Sequence, residues 1–175
     1  GDMFEYFLDN GIKQSEGQFF TPVPICKFIV SALPLEHLIA THSEPIRAID
    51  YACGSGHFLT EYALHLPPLL KQIKQIENPT HYYQHIYGIE KEDRLAKVAK
   101  VSAFMYGRKE IHIIDADALV PHDDIKEAGF NVLIANPPFA VEDFLLTVDE
   151  DHREKYTLMH TVNDAGNKNT QCFSL

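Results

Sequence analysis

Apolar residues cluster in four short runs, and each run is followed by a turn or by residues with helical spacing. The runs cover residues 46–50, 86–89, 111–114 and 132–135, all contain isoleucine, and predict buried strands. Strands that alternate with helices form a parallel sheet with right-handed crossovers. We therefore predict an α/β fold whose ligands bind at the carboxyl ends of the strands.

Helical spacing of apolar residues predicts helices over residues 2–10 and 93–106. The prolines at positions 22 and 24 predict a loop that leads into a helix over residues 24–33, and a further helix should begin at residue 58. Pro67 and Pro68 should end or kink that helix, so we expect a second piece over residues 69–76. Gly107 should end the helix before it. Residues 121–126 are predicted to form a polar connection or a short helix.

The chain has 175 residues, of which 45% are hydrophobic, enough for one core. We predict one structural domain, with an N-terminal helical segment over residues 1–44 and the main core over residues 45–175. No apolar run approaches the roughly 20 residues of a membrane span, and the N-terminus lacks a signal-peptide pattern. We expect a soluble protein of the cytoplasm.

The charge and the cysteines restrict the possible chemistry. A net charge of −10 argues against this chain gripping a nucleic-acid backbone by itself, so another component would have to supply that grip. Cys26, Cys53 and Cys172 are widely spaced and suggest neither a disulfide framework nor a zinc site. The histidines show no metal-ligand spacing.

The stretch from Asp50 to Leu59 combines the end of a strand, a glycine loop and the start of a helix. Gly54 and Gly56 would let the backbone approach a ligand closely, although two such glycines also occur in ordinary tight turns. The loop lacks the third glycine of the dinucleotide fingerprint and the Gly-Lys-Ser/Thr of a P-loop. We therefore predict a nucleoside-type ligand that needs little anion binding.

Glu90 ends the second predicted strand, where a carboxylate can accept hydrogen bonds from both hydroxyls of a ribose. It follows Asp50 by 40 residues, against about 20 in the dinucleotide unit. The prolines and an insertion at residues 78–85 explain the difference. Alternatively, Glu90 caps the next helix, with Asp93 as a competing cap.

Asn136, Pro137, Pro138 and Phe139 follow the fourth strand and form a stiff arm. The Asn136 side-chain oxygen and the Pro137 carbonyl can accept the two hydrogens of a planar amino group, and Phe139 can stack on its ring. The alternative is an ordinary proline-rich turn. Because each group of unusual residues follows a strand, we expect them at one edge of the sheet.

Together these motifs resemble the S-adenosylmethionine-dependent, amino-methylating DNA methyltransferases, which have a Rossmann-like fold. The closest resemblance is to the methylation subunits of type I restriction–modification systems and to the related fused restriction–methylation enzymes. It covers nearly the whole chain. The order of the motifs, with Gln-Phe-Phe-Thr-Pro first, is that of the adenine-N6 subgroup.

The resemblance implies a role for each motif. Residues 17–22 would contact the methionine part of S-adenosylmethionine, although Phe19 and Phe20 could instead be core residues. The glycine loop would hold the cofactor, with Tyr51 where proline is common. Glu90 would bind its ribose, residues 117–119 would lie at its adenine, and residues 136–139 would be catalytic. The implied cofactor-binding residues are Gln18, Phe19, Phe20, Thr21, Pro22, Asp50, Ala52, Cys53, Gly54, Ser55, Gly56, Phe58, Glu90, Asp117 and Ala118.

By the same resemblance, the substrate is an adenine rotated out of duplex DNA, and transfer is a direct in-line displacement without a metal. The implied partners are DNA and a DNA-specificity subunit, with a restriction subunit as a further candidate, in a bacterial or archaeal type of cell. Two alternatives stay open. One is methylation of a planar nitrogen in RNA or protein, and the other is a non-catalytic assembly subunit.

The fourth predicted strand would lie at an exposed, unpaired edge, which proteins usually avoid. A complete fold of this family also has more strands than the sequence predicts here. We therefore expect a fragment, incomplete at its C-terminus. It would retain weak cofactor binding and show little or no methyl transfer on its own.

Overall fold

In the computed structural model, residues 20–125, 129–138 and 151 are described. Four parallel strands form one sheet in the order β3-β2-β1-β4. They are β1 (Ala48–Asp50), β2 (Ile86–Glu90), β3 (His112–Asp115) and β4 (Val132–Leu133). The predicted α/β fold and all four strands are confirmed, although β1 begins two residues later than expected and β4 ends two residues earlier.

Five helices lie in the described part of the chain: α1 (Val23–Ser31), α2 (Leu35–Thr41), α3 (His57–Lys74), α4 (Thr80–Tyr83) and α5 (Asp93–Met105). The helices predicted over residues 24–33 and 93–106 are confirmed as α1 and α5 to within two residues at each end. Gly107 ends α5 as predicted, with a φ of 70°. The helix predicted over residues 2–10 lies outside the described residues.

The prediction that Pro67 and Pro68 divide the third helix is wrong, because α3 runs through both prolines to Lys74. Leu66 and Leu70 flank the prolines and are almost fully buried. Packing of this apolar face against the core offsets the backbone hydrogen bonds that two prolines remove. Gln75, with a φ of 59°, follows the last residue of the helix.

The connection between β3 and β4 contains a turn closed by a bridge between His122 and Ile125. No helix occurs in its described part, residues 116–125 and 129–131, so the polar-connection alternative is the better description. Within the described residues β4 pairs only with β1, and Leu133 is 58% exposed. This is the edge strand that the sequence predicted.

The chain divides into two compact units. One is Phe20–Pro137, and the other comprises Gly1–Phe19 and Pro138–Leu175, almost all of which lies outside the described residues. In the first unit, α1 and α2 contribute Cys26, Val30 and Ile39 to the same apolar core as α3. The predicted single domain, with its division between residues 44 and 45, stays a prediction.

Among the helices described, none is by itself long and apolar enough to cross a membrane. The pair α1 and α2, bent by 48°, meets the length and composition requirements when taken together.

Strand β2 lets α3 approach the sheet closely at Gly88. A Cβ atom there would lie 2.6 Å from Leu59 Cδ1, 2.9 Å from Cys53 Sγ and 3.1 Å from Ile113 Cδ1. These contacts are shorter than a packed interior tolerates, so only glycine fits without displacement of its neighbours. The contact fixes the position of the first turn of α3, which directly follows the glycine loop.

We predict that Gly88→Ala lowers the free energy of unfolding by about 1–3 kcal/mol, because the added methyl group overpacks the contact with Leu59 and Cys53. Urea denaturation of the chain measures this change. As a control, Gly107→Asn should cost less than about 1 kcal/mol, since asparagine tolerates a left-handed backbone. An unchanged midpoint for Gly88→Ala would contradict the close packing.

Candidate active site at the carboxyl ends of the strands

The polar residues that the sequence places after the strands meet at one edge of the sheet. Asp50 ends β1 and Glu90 ends β2, while Asp117 and Asn136 follow the ends of β3 and β4. Because all four strands are parallel, these positions share the carboxyl edge. The predicted gathering of polar groups at one edge is confirmed.

The loop after β1 needs glycine at two positions. Gly54 and Gly56 have φ angles of 53° and 83°, which other residues rarely adopt. A Cβ at Gly54 would meet nothing within 4 Å, whereas one at Gly56 would lie 3.4 Å from Ala99 Cβ. The loop is therefore open beside Gly54, and Gly56 lets α3 begin against α5.

Glu90 joins the tip of β2 to the glycine loop. Its Oε2 accepts a hydrogen bond from the Gly54 amide at 2.8 Å, and its Oε1 accepts one from the Glu92 amide at 2.9 Å. The predicted alternative, in which Glu90 or Asp93 caps the next helix, is wrong, because Glu92 caps α5 by accepting from Leu95 N. Each carboxylate oxygen of Glu90 can accept a second bond, so two hydroxyl groups of a ligand can still be bound.

Asp50 is a buried carboxyl group that has no cationic partner among the described residues. It is 1% exposed and accepts a hydrogen bond from the Ala52 amide at 3.0 Å. None of the ion pairs in the described part of the chain includes it. Burial raises the pKa of Asp50 from 3.8 to about 7, and the nearby Glu90 carboxylate adds to the rise, although the Ala52 amide opposes it. A cationic ligand would relieve this unfavourable burial.

Asp117 is already paired. Its Oδ2 lies 2.7 Å from Lys91 Nζ, and its Oδ1 accepts from the Leu119 amide at 2.9 Å. Ala118 beside it is half-buried. Lys91 was not among the predicted site residues, although its position directly after Glu90 at a strand end was a usable signal. Asp117 therefore has a cationic partner, whereas the ion pairs of the described residues include neither of the acids that end β1 and β2.

Thr21 connects three distant parts of the chain. Asn136 Nδ2 donates a hydrogen bond to Thr21 Oγ1 at 3.0 Å, and His57 Nδ1 lies 3.3 Å from the Thr21 carbonyl oxygen. Cys26 Sγ also donates to that carbonyl at 3.6 Å. The N-terminal motif, the first residue of α3 and the Asn-Pro-Pro arm therefore meet at one point. His57 was not among the predicted site residues, although its position directly after Gly56 of the glycine loop could have indicated it.

The other predicted site residues differ in how they can contribute. Cys53, Ser55 and Phe58 have buried side chains, so a ligand can reach chiefly their backbone. The remaining described positions are half-buried or exposed: Phe20, Pro22, Ala52, Pro137 and Pro138. Three further predicted site residues lie outside the described residues, and their roles stay predictions: Gln18, Phe19 and Phe139.

Comparison with known proteins gives a consistent result. The family model described as N-6 DNA Methylase matches residues 1–175. The methylase subunit of the type I restriction enzyme MjaVII from Methanocaldococcus jannaschii is 26% identical over 148 residues, which are 82% of this chain and 22% of that protein. This chain thus spans about a fifth of the length of the curated relative it matches.

Solved structures that share the fold include two methyltransferase-type proteins. The modification subunit of a proposed type I restriction enzyme from Vibrio vulnificus is 22% identical, with a TM-score of 0.58 over 89% of this chain and 29% of its own. A proposed class I S-adenosylmethionine-dependent methyltransferase from Listeria monocytogenes is 19% identical, with a TM-score of 0.58 over 93% of this chain and 42% of its own. At these identities the likeness concerns the fold alone.

We predict that Glu90→Gln loosens the glycine loop. A glutamine side chain can accept from only one of the Gly54 and Glu92 amides and turns an NH₂ group toward the other. The unsatisfied donor should cost about 1–3 kcal/mol. Hydrogen exchange of these two amides, followed by NMR, should become faster for at least one of them. Glu77→Gln, which changes only an exposed ion pair with Lys71, is the matched control and should leave both rates unchanged.

We predict that Asp50→Asn stabilises the protein increasingly between pH 4 and pH 7. The folded state raises the pKa of Asp50 to about 7, so the folded protein retains a proton that the unfolded chain has released. The Asp50 contribution to stability therefore falls as pH rises through this window and is constant above it. The difference should be on the order of 4 kcal/mol above pH 7.

The measurement is urea denaturation of both forms at several pH values. Asp93→Asn is the control, since the Lys97 side chain holds the pKa of Asp93 below its ordinary value. That variant should show no gain between pH 4 and pH 7. A stability difference between Asp50→Asn and the wild type that does not change with pH would contradict the prediction.

Proposed function

Because the chain belongs to the N-6 DNA methylase family, whose model matches it along its whole length, we propose that the protein transfers a methyl group from S-adenosylmethionine to N6 of adenine in DNA. It acts as the methylation subunit of a type I restriction–modification system or of a related fused enzyme. The relative from Methanocaldococcus jannaschii is named as the methylase subunit of a type I restriction enzyme, and this supports the assignment.

The hydrogen bond between Asn136 and Thr21 is the observation that carries the proposal. Asn136 follows β4, the neighbour of β1 in the sheet, and Thr21 also lies against His57 at the end of the glycine loop. The acceptor-binding arm and the loop proposed to hold the methyl donor are therefore close together. Direct transfer between two bound molecules requires this proximity.

The described residues fit S-adenosylmethionine. This cofactor carries cationic ammonium and sulfonium groups and a ribose with two hydroxyls. Asp50, buried without a cation, suits the positive part, while the two free acceptor positions of Glu90 suit the ribose. The open side of Gly54 leaves room for close backbone approach. When bound, the cofactor supplies a methyl group activated by its sulfonium charge.

Asn136 and Pro137 position the acceptor. Their side-chain and main-chain oxygens accept the two hydrogens of the adenine amino group, which localises the nitrogen lone pair. The rigid Pro137–Pro138 pair leaves little conformational freedom to lose on binding. The chain contributes orientation and fixed dipoles instead of a strong base.

The acidic charge supports a division of labour with other components. Since a net charge of −10 disfavours contact with phosphates, a DNA-specificity subunit or other parts of the protein provide most of the grip on DNA. A restriction subunit is a further partner. The adenine is rotated out of the duplex before transfer. We place this reaction in the cytoplasm of a bacterium or archaeon.

We predict that Asn136→Ala lowers methyl transfer to adenine-containing duplex DNA by at least about a hundredfold, because the fixed dipole that orients the amino group is lost. Transfer of a labelled methyl group by the whole protein, with the subunits that purify with it, measures the effect. Calorimetry should show unchanged affinity for S-adenosylmethionine. Asn78→Ala, which alters an exposed turn before α4, is the matched control and should retain full activity.

Undiminished transfer by Asn136→Ala would contradict the proposed role of the arm. Labelling of RNA or protein but not of DNA would overturn the substrate assignment. Cofactor binding by the wild type without transfer to any of these acceptors would indicate a non-catalytic subunit.

A further inference from the structure

We propose that His57 is a positioning residue that holds the N-terminal motif beside the glycine loop and thereby increases the affinity for S-adenosylmethionine. His57 is the first residue of α3 and directly follows Gly56 of the loop. Its Nδ1 lies 3.3 Å from the carbonyl oxygen of Thr21, which lies in the segment that leads into α1. This inference rests on the proposed function and adds to it a residue that controls how the amino-acid part of the cofactor is bound.

The donor in this contact is defined by its chemistry. A backbone carbonyl oxygen can only accept a hydrogen bond, so the contact requires a proton on Nδ1 of His57. The neutral ring with its proton on Nδ1 can donate it, and so can the doubly protonated ring. A ring rotated by a half-turn would present a carbon-bound hydrogen, which bonds a carbonyl only weakly. The contact therefore favours one ring orientation and, for the neutral ring, one tautomer.

Helix α3 contacts both ends of α1 through histidines. His57 and His65 are separated by two steps of four residues and therefore lie on the same side of α3. His57 contacts the Thr21 carbonyl before α1, and His65 Nε2 lies 3.2 Å from Oγ of Ser31, the last residue of α1. The His57 contact is at the end beside the glycine loop, and the His65 contact is at the far end. The two contacts can therefore be compared.

The order of the strands indicates which part of the cofactor lies beside Thr21. In the proposed function, the ribose binds to Glu90 at the end of β2. The adenine and the amino-acid part are attached to opposite sides of the ribose, and the transferred methyl group lies on the amino-acid side. Asn136 follows β4, on the other side of β1 from β2, and contacts Thr21. The amino-acid part therefore extends from β2 toward the place where Thr21 and His57 meet.

A local contact alone does not fix this segment relative to the glycine loop. Cys26 Sγ also donates to the Thr21 carbonyl, at 3.6 Å, but Cys26 belongs to α1, which directly follows the same segment. The His57 contact joins residues 36 positions apart and connects the segment to the first turn of α3. Holding the segment in place before binding reduces the entropy that the cofactor must offset.

The test compares His57→Leu, which removes the donor, with His57→Asn, whose side-chain nitrogen is as many bonds from the backbone as Nδ1. Both are made in the whole protein, with the subunits that purify with it. In calorimetric titrations, the affinity of His57→Leu for S-adenosylmethionine should be about three- to tenfold lower than that of the wild type, the effect of one hydrogen bond. His57→Asn should stay within about twofold. Equal affinity of His57→Leu and the wild type, or an equal loss in both variants, would overturn the inference.

Two further ligands locate the effect on the cofactor. S-adenosylhomocysteine carries the amino-acid part, whereas methylthioadenosine lacks it and retains the adenosine. His57→Leu should weaken S-adenosylhomocysteine by about the same three- to tenfold factor and change the affinity for methylthioadenosine by about twofold or less. The same loss for both ligands would contradict a role in holding the segment beside the amino-acid part.

His65→Leu is the matched control, because it removes the same kind of side chain at the far end of α1. Its affinity for S-adenosylmethionine should stay within about twofold of the wild type. An equal loss in His65→Leu and His57→Leu would mean that general docking of α1 explains the effect. At saturating cofactor and DNA, kcat for His57→Leu should stay within about threefold of the wild type, since the contact acts on binding. A loss confined to kcat would overturn the inference.

A measurement on the wild type needs no substitution to fold. At alkaline pH, where histidine rings are neutral, the nitrogen chemical shifts in NMR show which ring nitrogen carries the proton. His57 should carry it on Nδ1, whereas the exposed His37 should carry it chiefly on Nε2, the form favoured in water. The His57 signal is identified by its absence from the spectrum of His57→Asn. A proton chiefly on Nε2 of His57 would show that the contact is not formed, and the inference would be wrong.

These outcomes are distinct from failure of the proposed function. If the wild type methylates adenine in DNA and His57→Leu binds the cofactor equally tightly, the positioning role is wrong and the proposed function stands. If the wild type binds S-adenosylmethionine but methylates no adenine, the proposed function is wrong, and the affinities of the variants still decide the role of His57.

Discussion

The hydrogen bond from the Gly54 amide to Glu90 connects the loop after β1 to the tip of β2, and the geometry of the candidate site depends on it. The two glycines make the loop flexible, because glycine has more backbone freedom than any other residue. The Glu90 carboxylate at the end of β2 holds this loop in one conformation. The second oxygen of Glu90 accepts from Glu92, which in turn caps α5. One carboxylate therefore aligns a loop, a strand and a helix before any ligand is bound, which reduces the entropy lost on binding.

The charges at this edge of the sheet indicate which ligands it favours. Asp50 and Glu90 lie close enough for the Glu90 charge to raise the pKa of Asp50, and the described residues provide no cation to Asp50. Lys91, which directly follows Glu90, is paired with Asp117 instead. Such an edge repels a pyrophosphate and attracts a ligand that is positively charged and rich in hydroxyls. The burial of Asp50 lowers the stability of the protein, as groups retained for binding often do.

Local features of the fold were predictable from the sequence, and features that depend on distant contacts were not. The strands and α5 follow from the spacing of apolar residues, and the end of α5 follows from Gly107, because these signals lie within a few residues of the structure they determine. The continuity of α3 through Pro67 and Pro68 was not predictable, since it depends on the burial of Leu66 and Leu70 against other elements. Local propensity was overridden there by tertiary packing.

The candidate site shows the same division. The residue types at the strand ends, Asp50, Glu90, Asp117 and Asn136, could be read from the sequence because parallel strands bring their carboxyl ends to one edge. Their partners could not. Glu90 could have accepted from the amides of the glycine loop or from those at the start of α5. Only the three-dimensional arrangement shows that it binds the Gly54 amide. The contact between Thr21 and Asn136 joins residues 115 positions apart, and no local pattern marks it.

That separation has a consequence for how the site forms. Thr21 lies at the start of the Phe20–Pro137 unit and Asn136 at its end. Between them, the sheet must form in the order β3-β2-β1-β4, so the strand added last along the chain pairs with the first. Contacts between distant positions carry a large loop-closure entropy, which is offset only after the intervening elements have packed. The contact between Thr21 and Asn136 is therefore a property of the completed unit, and we expect it to form only when the glycine loop and the helices beside it are already in place.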